Sequence, residues 1–264
     1  MIETEVRGIP MRVFEQVPPN MRAIWEMATL HGDKDYLVFE DERLTYAETA
    51  GRVRALAHHL VDDHGVGHGD RVAIAMRNYP EWVISYWATA SIGAAAVGMN
   101  AWWTGPEMEF ALDDSRPKVL IADQERVERV VPHLDALRAN ADLAVIAVRT
   151  DGDLPDGATH WTDVIDPDAA PDALPEVDID RDDDVTIFYT SGTTGFPKGA
   201  QLTHRGSVHN LFNIAFMQFL GGAAGAKAKA AAGEEPEPPS EAAPSLMAPT
   251  PLFHVTACNC LLHP

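Results

Sequence analysis

The sequence predicts an α/β fold in which a mostly parallel sheet is flanked by helices. Three observations carry this expectation. Short apolar runs alternate with stretches whose apolar residues recur at helical spacing, the order that builds strand–helix–strand crossovers. Cap and breaker residues stand at the junctions: Thr45, Pro80, Gly93 and Pro106. Nearly half of the 264 residues are apolar, enough for a substantial core.

The elements follow in chain order. Met21 to Leu30 places Ala23, Ile24, Met27 and Ala28 at helical spacing, and Tyr36 to Glu40 reads as a strand. Thr45 followed by Glu48 is a capping-box signature. The helix it opens carries Val53, Leu56, Ala57 and Leu60 on one face and ends at the turn of Gly65, Gly67 and Gly69. Arg71 to Met76 is a strand, Pro80 opens a helix to about Ile92, and Ala95 to Gly98 is a short buried strand. Pro106 starts a helix ending near Ser115. Lys118 to Ala122 reads as a strand, Gln124 to Arg138 as one helix and Leu143 to Val148 as a strand. Residues 150–180, rich in Asp, Pro and Ala, read as a surface connection. The run Val185 to Tyr189 and the stretch Ala200 to Leu202 are strand-like, and Thr203 caps a helix from His204 to about Leu220. Residues 221–244 contain no large apolar side chain and are expected to be a disordered loop. Order resumes from Ser245 to Leu252.

Composition narrows the function. Asp and Glu total 40 against 20 Lys and Arg, a net charge of −20, so the general surface has no electrostatic reason to hold nucleic acid. A phosphate-bearing ligand would be held locally, by oriented donors and a few cations. The two cysteines, Cys258 and Cys260, make no disulfide framework and no zinc pattern, and read as small core residues near a strand end. Met1 to Pro10 has no signal-like apolar core and no run reaches the length of a membrane span, so the expected location is cytoplasmic. His58 and His59 look solvated, Trp102 and Trp103 read as packing residues, and Asp182 to Asp184 as a cap at the start of a strand.

The chemistry-bearing segment is Thr190 to Gly199, TSGTTGFPKG, between two strand-like runs. Its glycines let backbone N–H groups approach a ligand closely, Ser191, Thr193 and Thr194 add hydroxyls, and Lys198 adds a point charge. These are the parts of a phosphate cradle. The order differs from a Walker A loop, because Lys198 lies between Pro197 and Gly199, and no dinucleotide fingerprint is present.

TSGTTGFPKG resembles the phosphate-binding motif of the adenylate-forming superfamily, which includes acyl-CoA synthetases, luciferases and peptide-synthetase adenylation domains. LTYAETAGRVRALAHHL, GDRVAIAMRNYPEWVISYWATASIGAAAVGMN and PLFHVTA resemble other family segments in the same order, so the likeness covers essentially the whole chain. It implies an AMP-forming acid–CoA ligase that activates a carboxylic acid, a fatty acid by expectation, with ATP and Mg²⁺ and passes it to coenzyme A. It assigns Thr190, Ser191, Gly192, Thr193, Thr194, Gly195 and Lys198 to the β- and γ-phosphates of ATP, and His254 to the acyl pocket. Ala257 stands where the family often has glycine.

The resemblance also implies an incomplete chain. Residues 1–264 are read as part of an N-terminal adenylation domain, with a first α/β subdomain over 1–175 and the start of a second over 176–264. The family's Mg²⁺-serving glutamate, its ribose-binding Thr-Gly-Asp segment and its C-terminal domain are absent from the sequence. Three readings follow: a ligase whose remainder lies outside this chain, a non-catalytic nucleotide-binding protein, and an adenylating enzyme that loads a carrier protein. The acid's identity and the oligomeric state are open at this stage.

Overall fold

The computed structural model describes residues 1–166, 169–190, 197–233 and 245–261. The chain opens with a hairpin that the sequence reading did not anticipate. β1 (Ile2–Val6) pairs antiparallel with β2 (Ile9–Val13) across Arg7 and Gly8, both at positive φ. This is the two-residue geometry that matches strand twist. α1 (Met21–Ala28) is capped by Asn20, whose side chain accepts from the Ala23 N–H at 3.0 Å. A 3₁₀ turn over Thr29–His31 leads to a second hairpin, β3 (Asp35–Phe39) and β4 (Glu42–Thr45).

α2 (Tyr46–Asp62) starts with the predicted capping box. Thr45 Oγ1 accepts from the Glu48 N–H at 3.1 Å and Glu48 Oε2 accepts from the Thr45 N–H at 2.8 Å. Val53, Leu56, Ala57 and Leu60 are all fully buried, as the helical spacing requires. His58 and His59 are half-buried rather than solvated: His58 Nε2 lies 3.0 Å from the Ala173 carbonyl and His59 pairs with Asp63 at 2.7 Å.

The remaining elements build one seven-stranded sheet. They are β5 (Arg71–Ala75), α3 (Pro80–Ser91), β6 (Ala95–Gly98), α4 (Gly105–Ser115), β7 (Val119–Asp123), α5 (Gln124–Val130), α6 (Leu134–Asn140), β8 (Ala144–Val148), β9 (Ala158–His160), α7 (Trp161–Val164), β10 (Asp184–Thr190) and β11 (Lys198–Thr203). The spatial order is β11-β10-β6-β5-β7-β8-β9. All neighbours run parallel except β10 and β11. Alternate strand residues face opposite sides. Val72, Ile74, Ile121 and Ile146 pack with α1, α2 and α3, while Ala73, Ala75, Leu120 and Val145 pack with α4, α5 and α6. The α/β class with a mostly parallel sheet between helices is thus what the structure has.

Five further expectations need correction. The single helix expected over 124–138 is two, because Pro132 cannot donate a backbone N–H and a 3₁₀ turn at Val131–His133 intervenes. The connection over 150–180 contains β9 and α7, too short for their periodicity to register. β10 and β11 join the sheet of the first 175 residues through β6, so the boundary expected near residue 175 separates no sheet. The loop expected over 221–244 is helical as far as Ala231. There α8 (His204–Ala231) continues through a stretch in which six alanines offset the weak helix preference of Gly221, Gly222 and Gly225, and 234–244 lie outside the described residues. Cys258 is buried in α9 (Val255–Leu261) rather than beside a strand, and the Cys260 side chain lies outside the described part.

His204 ties α8 to α1. Its Nδ1 accepts from the Met21 N–H at 3.0 Å, its side chain is fully buried, and its Nε2 meets no partner among the described residues. Burial lowers its pKa to about 4, below the value near 6.5 of an unfolded histidine. The neutral ring is what the fold accommodates. Its contribution is therefore complete above about pH 6.5 and is lost as pH falls toward 4, on the order of 3 kcal/mol in all. His204→Gln, which keeps an acceptor for Met21 but does not titrate, should flatten this part of the pH–stability profile from urea unfolding. A profile unchanged by the substitution would remove His204 from the account.

Candidate functional site

Parallel α/β sheets place ligand sites at the carboxyl ends of their strands, where the connecting loops converge. Here those ends belong to β5, β6, β7 and β10. They carry the loops Met76–Tyr79, Met99–Thr104, Asp123 onward and Thr190 onward.

The Thr190 loop leaves the sheet at the mouth of the β10–β11 hairpin. Thr190 pairs with Lys198 and Tyr189 with Gly199, and Thr190 Oγ1 lies 3.4 Å from the Lys198 carbonyl oxygen. Both Thr190 and Lys198 are exposed, and no ion-pair partner of Lys198 is found among the described residues. Ser191, Gly192, Thr193, Thr194 and Gly195 lie outside the described residues. Two of the seven predicted phosphate-site residues are therefore located, one at each end of the loop.

The Pro251 to His254 segment comes to the same edge from far along the chain. The side chain of Asn78, in the loop after β5, holds it by three hydrogen bonds. Nδ2 donates to the carbonyls of Ala248 at 3.2 Å and Thr250 at 2.9 Å, and Oδ1 accepts from the Leu252 N–H at 2.8 Å. Leu252 is buried in the core shared with α1, α2 and α3. Gly98, the last residue of β6, allows the close approach. A Cβ there would lie 3.0 Å from the Phe188 ring and 3.2 Å from the Phe253 carbonyl oxygen. Phe188 is also the residue opposite Gly98 in the β6–β10 register, two positions before Thr190.

His254 is exposed at this edge, immediately before α9. Its N–H donates to the Pro251 carbonyl at 3.0 Å and its Nδ1 accepts from the Thr256 N–H at 3.3 Å. Phe253 meets Trp102 edge to face with centroids 5.4 Å apart, and the Arg77 guanidinium stands 5.2 Å over Trp102. Trp102 is 55% exposed, whereas Trp103 is buried and packs against Tyr189. The two adjacent tryptophans thus differ: one fills the core and the other walls the edge.

A buried ion pair stiffens the neighbouring loops. Asp123 at the end of β7 binds Arg126 with Nε–Oδ1 at 2.5 Å and Nη2–Oδ2 at 2.7 Å. Asp123 also accepts from the Arg77 N–H at 3.1 Å, and Arg126 donates to the Ala101 carbonyl at 2.8 Å. The loops after β5, β6 and β7 are therefore cross-linked through two side chains. Asp182, Asp183 and Asp184, expected to cap a strand start, do so by binding Arg205, His68 and Arg7 at 2.6, 2.7 and 2.9 Å.

A separate cleft of about 450 Å³ runs along β10 and β11 toward the opposite ends of β5 and β6. Two of its three arginines, Arg7 and Arg71, are already engaged. Arg71 donates to the carbonyls of Ser115, Gly69 and Arg116, and Arg7 to the Asp182 carbonyl and the Asp184 carboxylate. Among the described residues no group of three or more His, Cys, Asp or Glu could hold a metal ion, and no helix is long and apolar enough to cross a membrane.

Sequence reasoning missed Asn78, Gly98 and Arg126. A signal existed for two of them. Asn78 stands two residues before a helix-opening proline at a strand–helix turn, and Asp123 with Arg126 has the spacing of an N-cap and its third residue.

Residues 24–264 match the family model described as AMP-binding enzyme. The chain is 32% identical over 227 residues to 4-coumarate–CoA ligase 2 of Oryza sativa subsp. japonica, covering 83% of this chain and 36% of that protein. It is 34% identical over 213 residues to long-chain-fatty-acid–CoA ligase FadD13 of Mycobacterium tuberculosis, covering 77% of this chain and 36% of that protein. The crystal structure of the anthranilate CoA ligase AuaEII with anthranoyl-AMP superposes with a TM-score of 0.62 at 28% identity, over 72% of this chain and 36% of that one. The chain spans about a third of the length of the curated relatives it matches.

Proposed function

The chain belongs to the AMP-binding enzyme family, and from that premise we propose that it forms the ATP-gripping part of an acid–CoA ligase. The reaction joins two steps. A carboxylate oxygen of the acid attacks the α-phosphorus of ATP, and pyrophosphate leaves. The thiol of coenzyme A then attacks the carbonyl carbon of the acyl-adenylate, and AMP leaves. The acid is a fatty acid in this reading, as named for a relative at 34% identity; a 4-coumarate ligase at 32% and a feruloyl-CoA synthase at 39% make aromatic acids the arm to test against it.

The chain's own residues act on the leaving group and the acid. Negative charge grows on pyrophosphate as it departs, and preorganised donors stabilise it without reorganising at the moment of reaction. Ser191, Thr193 and Thr194, the backbone N–H groups around Gly192 and Gly195, and the Lys198 ammonium take that role, with Thr190 at the base of the loop. His254 and Phe253 border the acid. Mg²⁺ is the usual counter-charge in such chemistry, but no described residue is assigned to it and no step here runs through it.

What supports this reading is one arrangement. The mouth of the phosphate loop and the Pro251–His254 segment stand on the same carboxyl edge of the sheet, joined through the Phe188–Gly98–Phe253 contact. The test supplies ATP, Mg²⁺ and coenzyme A with palmitate, 4-coumarate or ferulate to the longest product of the gene and to the 264-residue chain side by side. Acid-dependent pyrophosphate release and a thioester are expected from the longer product, greatest with palmitate, and none from the 264-residue chain. Pyrophosphate release without thioester would favour a carrier-loading enzyme. Absence of release with every acid would overturn the ligase reading.

A further inference from the structure

We propose that Asn78 is a positioning residue, whose side-chain amide sets where Phe253 and His254 stand and so governs binding of the acid. The proposal rests on the ligase reading for the identity of the ligand, and on geometry alone for the clasp.

The residues from Ser245 to His254 form no strand or helix, so no ladder of backbone hydrogen bonds fixes their path. Leu246 and Met247 are strongly exposed and give no anchorage. The Asn78 amide supplies what a neighbouring strand would have supplied: two donors and one acceptor to three backbone groups of one passing segment. Backbone groups in such a segment need partners, and one side chain satisfies three of them. The clasp spans 170 to 174 positions of sequence, so it is a tertiary device and not a local turn.

Its place gives the clasp a function. Asn78 follows Arg77, whose N–H is fixed by Asp123 and whose guanidinium covers Trp102. It precedes Tyr79, which stacks edge to face with Phe39 and lies under Arg149. The clasp is thus mounted on a braced loop, while among the described residues the segment it holds is otherwise secured by Leu252 in the core, the Phe253–Trp102 contact and the contact at Gly98. Movement of the segment displaces Phe253 and His254 together and leaves the β10–β11 hairpin in place. The predicted signature is therefore selective: the acid is affected and ATP is not.

The test uses Asn78→Ala, Asn78→Asp and Asn78→Gln. Asn78→Asp keeps the acceptor for Leu252 but sets a carboxylate against two carbonyl oxygens, so it should behave no better than alanine. Asn78→Gln keeps the amide and should recover part of the loss. In the longest gene product, KM for the acid should rise about tenfold in Asn78→Ala with KM for ATP changed less than about twofold, the pattern of lost ground-state binding at one substrate. In the 264-residue chain, hydrogen exchange should quicken at the Leu252 amide, the one N–H that the clasp holds, and stay unchanged in β5, β6 and β7. Unchanged exchange in Asn78→Ala overturns the clasp, whatever the activity. Faster exchange with an unaltered KM for the acid, or an equal rise for acid and ATP, overturns the positioning role. Wild-type protein inactive toward every acid overturns the ligase reading instead, while the exchange measurement still decides the clasp.

Discussion

Replacing Arg126 with alanine is expected to lower the stability of the chain by about 3–5 kcal/mol, the cost of breaking a buried pair from one side. The Asp123 and Arg126 side chains are 4% and 2% exposed, so neither can turn to water when its partner is removed. In the variant, Asp123 retains the Arg77 and Arg126 backbone N–H groups, but its negative charge loses its bidentate counter-ion. The Ala101 carbonyl loses a donor from Arg126 and keeps one from Arg129 at 3.1 Å. Arg126→Lys should fall between the two, because an ammonium preserves the charge and not the fork. Urea unfolding followed by tryptophan fluorescence reads the effect as a lowered midpoint at constant slope. A loss below about 1 kcal/mol would mean that the pair contributes little and that the loops after β5, β6 and β7 are braced by packing.

The second large effect falls on activity. In the longest gene product, under the proposed ligase reading, Lys198→Ala should slow acid-dependent pyrophosphate release by about 10²-fold or more, the scale seen when one preorganised charge-stabilising group is removed from a transition state. Stability should change by less than about 0.5 kcal/mol, since the Lys198 side chain is exposed and its ammonium forms no ion pair with a described residue. The contrast between the two variants separates the roles: Arg126 holds the scaffold and Lys198 serves the reaction. An unaltered rate in Lys198→Ala would mean that the loop was given the wrong task.

How much of this was legible in the sequence depends on the range of the interaction concerned. The Thr45–Glu48 capping box and the buried face of Val53, Leu56, Ala57 and Leu60 are settled within one or two helical turns, and both were readable. The strands β5, β7 and β10 were readable because each is a compact apolar run between breakers. The break at Pro132 was readable in principle, but the apolar spacing on either side of it suggested continuity. The continuation of α8 past Leu220 was misjudged, because lack of apolar surface was weighed above alanine's intrinsic helix preference. The Asn78 clasp and the Gly98 contact join residues more than 150 positions apart, and one sequence carries no sign of such pairings. Thr190 and Lys198 were singled out by the chemistry of their segment and His254 by the family resemblance, whereas their shared edge came only from the order of strands in the sheet.

The turnabout of β11 has a consequence for ligand capture. Because β11 doubles back on β10, Thr190 and Lys198 face each other at a separation set by strand pairing, about 5 Å. Whatever path residues 191–197 follow, both of their anchor posts are planted in the sheet. The entropy of bringing the loop's two ends together was spent when the strands zipped up, so under the proposed phosphate-binding role that cost does not fall on the ligand.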